Sequence, residues 1–575
     1  MKQDFIPLEA LRANKPGPAN TAVLKATGRE PSSPRYWRSL EELSGAKLPE
    51  REPDGEPDFA AKLSEKSRRR FLELMGASLG LAGLTACTRQ PTEFIVPYAQ
   101  PPENAIPGRP MHFATAVPVD GIAQGVIVET HLGRPTKVEG NPAHPSSLGA
   151  TSVLSQSSVL DLYDPDRARV VTYLGNQRSW DDFINAFHQS AGLLQAGAGL
   201  HILTQTVCSP TLGSQLKAVL EALPQAKWHQ YHPTGAHSAY SGAQLAFGRP
   251  VNTVYRLDRA DVILGLDSDF LACGQASTRM AREFAVRRRQ GNRLDMNRLY
   301  VIESILTSTG GKADHRLPMR WADVEVFARD LAAAIGVKGM AASNNNPHQQ
   351  WISAVAADLM AHYGASAVIP GDHQSPGLHA LAHAINAALG NAGNTVVYTQ
   401  PLEVQPVDQI ASIRDLAGAM DAGQVQLLLI LGGNPAYDAP ADLDLSNRLK
   451  KVRTVFHVSQ HFNETSVLCN WHVPETHVFE DWGDARAHDG TVTITQPLIE
   501  PFYDAHSHAQ VLDVLLQFPP RNSYEILRGY WMGEHTGARG QGPGASGRGA
   551  AAGGQRLGAS GRGPAAGGQS GAGRG

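Results

Sequence analysis

The stretch "QLLLILGGNPAY", residues 426–437, carries the pattern that decides the fold. Its unbroken apolar run predicts a strand buried on both faces, because a strand with one solvated face alternates apolar and polar residues. Such a strand belongs to a parallel sheet. The Gly-Gly-Asn-Pro turn after it lets backbone N–H groups approach a phosphate or a guanine edge closely. Taken alone, however, the turn is better explained as an ordinary exit from a parallel strand.

Other parts of the chain repeat this pattern of apolar strands and amphipathic helices. Further strands are predicted at 200–206, 260–269, 299–304 and 453–459, and a strand pair around the turn at 132–134. Helical periodicity follows at 211–223, 280–289 and 443–451. This alternation predicts an α/β fold with several parallel-sheet subdomains and covering helices. Ligands of such sheets bind at the carboxyl ends of the strands.

Composition sets limits on function. The chain has 575 residues, of which 42% are hydrophobic and 18% charged, enough for two to four domains. Its net charge of −3 gives no electrostatic footprint for nucleic acid. The four cysteines, Cys87, Cys208, Cys273 and Cys469, include no CxxC pair. This spacing excludes a zinc knuckle, a c-type haem site and a local iron–sulfur run.

An export signal is predicted in "SRRRFLELMGASLGLAGLTAC", residues 67–87. The residues that match the twin-arginine pattern are Ser67, Arg68, Arg69, Phe71 and Leu72. The apolar run that follows is too short to cross a bilayer comfortably, so a signal peptide is the better interpretation. It ends in "LTAC", which resembles a lipobox and makes Cys87 the predicted lipid anchor. The alternative is a buried amphipathic helix that begins with three arginines.

The two ends of the chain are predicted to be disordered. Residues 1–66 are polar and rich in proline, as expected of an extended leader. Residues 538–575 consist almost entirely of Gly, Ala, Arg, Ser, Gln and Pro, and "GASGRGAAAGGQ" returns there as "GASGRGPAAGGQ". This tail is either a flexible linker or an out-of-frame translation.

Several stretches, taken in order, resemble the molybdopterin oxidoreductase superfamily. They are "GRPTKVEGNPAHPSSLGATS" (133–152), "LDLYDPDR" (160–167), "RADVILGLDSDF" (259–270), "LYVIES" with "ADHRLPMR" (299–320), "LILGGNPAYDAP" (429–440) and "CNWHVPETHVFEDWGDARAHDGTVTITQPLIEP" (469–501). The resemblance covers residues 113–528 and implies the fold of that superfamily. By this resemblance, the vestigial cofactor-binding residues are Gly140, Asn141, Pro142, His144, Gly432, Gly433, Asn434 and Pro435.

The departures from the superfamily pattern point to a non-catalytic relative. Catalytic members carry a four-cysteine cluster motif that would end near Ser152, yet no cysteine lies between Cys87 and Cys208. Cys208 is the thiol nearest a strand exit there, but a lone cysteine is more often a small buried hydrophobe than a metal ligand. No catalytic or metal-binding residue is therefore predicted, and the histidines at 144, 315, 472, 477 and 488 are expected to be mostly structural.

Together, the late signal, the lipobox-like cysteine and the domain without cluster cysteines resemble the large subunit of alternative complex III, a bacterial quinol oxidoreductase. The resemblance implies a non-catalytic scaffold subunit without a cofactor of its own. Iron–sulfur clusters are then expected on a missing portion or a partner. The expected partners are membrane subunits, the iron–sulfur portion and c-type cytochrome subunits. The expected location is the periplasm or the outer face of the cytoplasmic membrane, with a lipid anchor.

Two alternatives remain open at this point. The first is an exported oxidoreductase that binds bis-molybdopterin guanine dinucleotide without a proximal iron–sulfur cluster. The second is an exported binding protein of doubly wound sheets, which leaves the ordered set of motifs unexplained.

Overall fold

The computed structural model describes residues 106 and 108–533, apart from 236, 275, 290–295 and 344–345. The predicted leader, the signal with its arginines, Cys87 and the C-terminal tail lie outside the described residues. Within the described residues, no helix combines the length and the apolar character needed to cross a bilayer.

The described strands and helices alternate along most of the chain. The strands are β1 Met111–Val119, β2 Ile122–His131, β3 Arg134–Gly140, β4 Thr172–Tyr173, β5 Asn176–Gln177, β6 Leu200–Thr204, β7 Lys227–Gln230, β8 Asn252–Tyr255, β9 Val262–Leu266, β10 Arg298–Glu303, β11 His315–Pro318, β12 Ser366–Pro370, β13 Val396–Thr399, β14 Leu427–Leu431, β15 Thr454–Ser459, β16 Trp471–Pro474, β17 Gly483–Arg486 and β18 Val492–Thr495. The helices are α1 Val153–Leu162, α2 Trp180–Gly192, α3 Pro210–Ala222, α4 His237–Phe247, α5 Ser277–Arg289, α6 Trp321–Ile335, α7 Gln349–Ala361, α8 Pro376–Ala388, α9 Gln409–Asp421, α10 Pro435–Asp438, α11 Leu445–Leu449, α12 Glu464–Leu468, α13 His508–Leu516 and α14 Ser523–Met532.

The largest sheet has seven strands in the order β5-β4-β16-β15-β14-β6-β7. Its strands from β7 to β16 are parallel, and β4 pairs antiparallel with β16 at one side. Strand β14 is buried throughout, and its side chains alternate between two apolar clusters. Leu427, Leu429 and Leu431 pack on one face, while Leu428 and Ile430 pack on the other. The doubly covered parallel strand predicted from residues 426–437 is confirmed.

A second sheet is parallel throughout, with the strand order β11-β10-β9-β12. Apolar clusters cover both of its faces. Helices α6, α7 and α8 contribute Phe327, Val355 and Leu378 to one cluster, and α5 contributes Phe284 to the other. The predicted combination of parallel sheets and covering helices is therefore present twice.

The N-terminal part of the described chain forms an antiparallel sheet, β1-β2-β3. The predicted reversal after β2 occurs at Leu132 and Gly133, whose φ angles are 50° and 82°. Helix α1 packs on this sheet through Val159 and Leu162. Two antiparallel pairs, β8 with β13 and β17 with β18, complete the described sheets.

The helix predicted across 443–451 is wrong in its extent. Only residues Leu445–Leu449 are α-helical, because Asp444 has a φ of 40° and interrupts the helix at its start. A left-handed residue cannot continue a right-handed helix, so a separate short turn precedes it.

A buried ion pair ties the N-terminal sheet and α1 to the C-terminal part of the chain. Arg167 donates to both carboxylate oxygens of Glu480 at 3.0 and 2.6 Å, and their side chains are 1% and 0% exposed. Arg167 also donates to the carbonyl of Leu162 at the end of α1. Glu480 accepts from the backbone N–H groups of His477 and Phe502. Burial alone would raise the pKa of Glu480, but these hydrogen bonds outweigh it and lower the pKa.

The substitution Arg167→Met leaves the Glu480 carboxylate buried without its cation, so we expect a loss of stability of about 3–5 kcal/mol. Denaturant unfolding of the full chain measures this loss. Lys137→Met is the matched control, because it breaks an exposed pair with Glu139 and should leave the unfolding midpoint unchanged. Equal midpoints for the two variants would contradict the importance of the buried pair.

Candidate functional site

The seven-stranded sheet has its topological switch point between β6 and β14. The chain leaves β6 for β7 on one side, and leaves β14 for β15 on the other side. Parallel sheets bind ligands at the carboxyl ends of strands at such a point. A crevice of about 10 Å³ lies there. We call it the switch-point crevice; it is lined by Leu203, Thr204, Gln205, Tyr231, Gly432, Gly433, Asn434, Pro435 and Asp438.

The two glycines of the crevice adopt a conformation that side chains disfavour. Gly432 and Gly433 both have a φ of 73°. The N–H of Gly432 donates to the carbonyl of Val458 at 2.8 Å. The carbonyl of Gly433 accepts from Nε2 of His457, while Nδ1 of His457 accepts from the Ser466 hydroxyl. Burial lowers the pKa of His457 to about 3, so this histidine is neutral. Its hydrogen bond to the carbonyl of Gly433 holds the turn in place.

Asn434 and Pro435 of the same turn anchor neighbouring helices. The side-chain oxygen of Asn434 accepts from the N–H and the hydroxyl of Thr465 at 3.1 and 2.7 Å. Its nitrogen donates to Glu464 at 2.6 Å. Pro435 begins helix α10, where proline's missing N–H costs nothing. The polar atoms of Asn434 therefore bind α12.

Side chains of the chain itself cover the open faces of the glycines. A Cβ atom built on Gly432 would lie 3.3 Å from His508 and 3.4 Å from Gln205. One built on Gly433 would lie 3.3 Å from Gln205. The nucleotide and cofactor sites of proteins are typically about 300–1,000 Å³ in volume. The switch-point crevice is far smaller, because Gln205 and His508 occupy the space beside the turn.

The other predicted loop, which contains Gly140, Asn141, Pro142 and His144, lies beside the N-terminal sheet. Nε2 of His144 is 2.7 Å from the Thr493 hydroxyl, and Nδ1 is 2.8 Å from the Ser146 hydroxyl. His144 is buried, and burial lowers its pKa. Asn141 donates its N–H to the carbonyl of Gly125.

Close packing explains the glycine of this loop. A Cβ atom at Gly140 would lie 2.3 Å from the carbonyl oxygen of Gly149. The hydrogen bond between His144 and Thr493 joins this loop, and with it the N-terminal sheet, to the β17–β18 pair. The structure places the two predicted Gly-Asn-Pro loops in different parts of the fold, each bonded to its own surroundings.

A second carboxyl edge, between β9 and β12, holds a carboxylate that the sequence analysis did not single out. Asp267 follows β9 and accepts hydrogen bonds from the Ser304 N–H, His373 and Gln374, at 2.9, 2.7 and 2.8 Å. Burial alone would raise the pKa of Asp267, but these hydrogen bonds lower it. The only sequence signal was the position of this aspartate directly after an apolar strand.

Cys208 is a buried hydrophobe in this structure. It is 1% exposed and packs between Ile122 and Leu402. Burial raises the pKa of its thiol to about 12. Within the described residues, no three His, Cys, Asp or Glu side chains are grouped so as to hold a metal ion.

Known proteins resemble this chain in sequence and in structure, although no family model matches it. The chain is 23% identical over 436 residues to the menaquinone reductase, molybdopterin-binding-like subunit of Nitratidesulfovibrio vulgaris, covering 68% of this chain and 62% of that protein. It therefore spans less than two thirds of that relative. Acetylene hydratase from Pelobacter acetylenicus has a similar structure, with a TM-score of 0.55 at 12% identity over 72% of this chain and 71% of the other.

These comparisons confirm the predicted resemblance to the molybdopterin oxidoreductase superfamily, and the chain has the fold of these enzymes. That fold implies a molybdopterin guanine dinucleotide. The switch-point crevice does not fit such a group, because its volume is only about 10 Å³ and the side chains of Gln205 and His508 lie beside its glycine turn.

Gly432→Ala should destabilise the chain by about 1–2 kcal/mol, because alanine is strained at a φ of 73°. Gly418→Ala is the matched control, since Gly418 lies in helix α9 with open space around it. There alanine should stabilise the chain by about 0.5–1 kcal/mol. Thermal unfolding of both variants checks the opposite signs, and a stabilised Gly432→Ala would refute the described turn.

Proposed function

We propose that this chain, which has the molybdopterin oxidoreductase fold, is a non-catalytic scaffold subunit of a membrane-attached respiratory quinol oxidoreductase of the alternative complex III type. The observation that carries the proposal is the closed switch-point crevice, in which Gln205 and His508 cover the glycine turn. The relative from Nitratidesulfovibrio vulgaris, named a molybdopterin-binding-like subunit of a menaquinone reductase, supports the part of this proposal that makes the chain a subunit of a respiratory oxidoreductase.

In this role the chain contributes rigid surfaces, and its partners carry the electrons. The sheets are covered on both faces and form a stiff body, because a buried parallel strand separates from its neighbours only when the whole core unfolds. The proposed partners are membrane subunits, an iron–sulfur portion and c-type cytochrome subunits. The polar groups at the carboxyl edges are hydrogen-bonded within the chain. Asn434 accepts from Thr465, and Asp267 accepts from Gln374.

Elemental analysis of the complex purified from its native membrane tests this proposal. We expect iron from the partners and molybdenum far below one atom per chain. About one molybdenum per chain would refute the scaffold role and favour an exported molybdopterin-dependent oxidoreductase. A preparation without iron would contradict the proposed partners.

We further propose export by the twin-arginine route to the outer face of the cytoplasmic membrane. Changing Arg68 and Arg69 to lysine should retain the protein in the cytoplasm, as measured by cell fractionation. Arg70→Lys is the control, because that position of the motif is unrestricted and export should continue. Unchanged fractionation of the double variant would disprove this route.

Cys87→Ala should abolish labelling by a radioactive fatty acid if Cys87 is the anchor.

A further inference from the structure

A loop at residues 400–409 covers the carboxyl ends of β6 and β7, next to the switch-point crevice. Val404 donates its N–H to the carbonyl of Val207 at 2.9 Å. The side chain of Gln230 donates to the carbonyl of Gln405 at 2.7 Å. Gln409 donates from Nε2 to the Thr206 hydroxyl at 3.1 Å. The loop is thereby fixed over the strand ends.

Two buried oxygen atoms of this loop have no hydrogen-bond partner among the described residues. One is Oε2 of Glu403, a residue that is 6% exposed. The other is Oε1 of Gln409, a residue with 0% exposure. The side chain of Gln409 is close enough to the Glu403 carboxyl group to lower its pKa against the effect of burial. Two unpaired acceptor oxygens in neighbouring side chains are costly, because a buried acceptor needs a donor.

Three titratable or charged groups lie around Glu403, and none of them donates to its Oε2. Cys208, which follows β6, and Tyr240 on α4 are both neutral, because the pKa of each is raised by burial first and by Glu403 second. Arg486 on β17 is a cation, but its Nη1 donates to the backbone carbonyl of Leu402 at 3.1 Å.

We propose that Glu403 is a buried proton-binding site that holds the 400–409 loop on the ends of β6 and β7. The carboxyl group takes a proton from solvent when the loop docks, and its O–H becomes the donor that the pair with Gln409 lacks. Ionisation returns the proton to solvent and leaves a buried carboxylate, which weakens the docking. This proposal does not depend on the proposed scaffold function.

The ionisation of Glu403 agrees with this geometry. Burial raises the pKa of Glu403 from its ordinary value of 4.5 to about 7, and the Gln409 hydrogen bond offsets only part of the effect. Between these two pH values, the folded chain keeps a proton that the unfolded chain releases. The stabilisation by Glu403 is therefore complete below about pH 4.5 and declines as the pH rises to about 7.

The test compares the unfolding equilibria of the full wild-type chain and the Glu403→Gln variant between about pH 4.5 and 7. Glutamine resembles the protonated acid but cannot ionise. The buried histidines titrate in both proteins, so the ratio of the two unfolding constants isolates Glu403. We expect this ratio to change about tenfold per pH unit, in the direction of a less stable wild type at higher pH. Exposed Glu500→Gln is the matched control and should give a constant ratio.

A constant ratio for Glu403→Gln would overturn the proposal. A second measurement covers a variant that fails to fold. Infrared spectroscopy of the folded wild-type chain should show the C=O absorption of protonated carboxyl groups fall by one group per chain between about pH 6 and about pH 8, on either side of the Glu403 pKa of about 7. An absorption that stays constant over this range would equally overturn the proposal.

Discussion

The ion pair between Arg167 and Glu480 is the constraint on which the arrangement of the described chain depends. It joins positions 313 residues apart and is closed to solvent on both sides. Its two residues belong to two of the stretches that resemble the molybdopterin oxidoreductases, 160–167 and 469–501. The bond between His144 and Thr493 joins two such stretches in the same way. These motif residues therefore hold distant parts of the chain together.

The switch-point crevice combines a glycine turn at the carboxyl edge of the sheet with very little open space. A glycine turn can serve a ligand only if its open face is accessible. Here Gln205 follows β6 and His508 begins α13, and a Cβ atom built on Gly432 would lie 3.3 Å from His508 and 3.4 Å from Gln205. Asn434, the polar residue of the turn, gives its hydrogen bonds to α12. The glycine turn is present, and the polar atoms of Asn434 are hydrogen-bonded within the chain.

The sequence predicted what depends on local pattern. The apolar runs gave β6, β9, β14 and β15 close to their observed bounds. The helix at 443–451 was overextended, because nothing in its periodicity signals the left-handed Asp444. The covering of Gly432 by His508, and the hydrogen bonds of Asp267 with His373, join residues far apart in the chain. Such contacts arise only from tertiary packing, so spacing alone could not reveal them. The sequence located the glycine turn, but it did not indicate that Gln205 and His508 lie beside it.

We propose that the chain's own side chains take up the space at the edge of the sheet where a nucleotide would bind in this fold. The most direct measurement is the release of pterin and guanine nucleotide from the purified full chain after acid denaturation, followed by chromatographic detection. The closed crevice predicts that neither compound is released. Stoichiometric release of a pterin together with guanosine monophosphate would contradict the account, because Gln205 and His508 would then have to leave the positions they occupy beside Gly432.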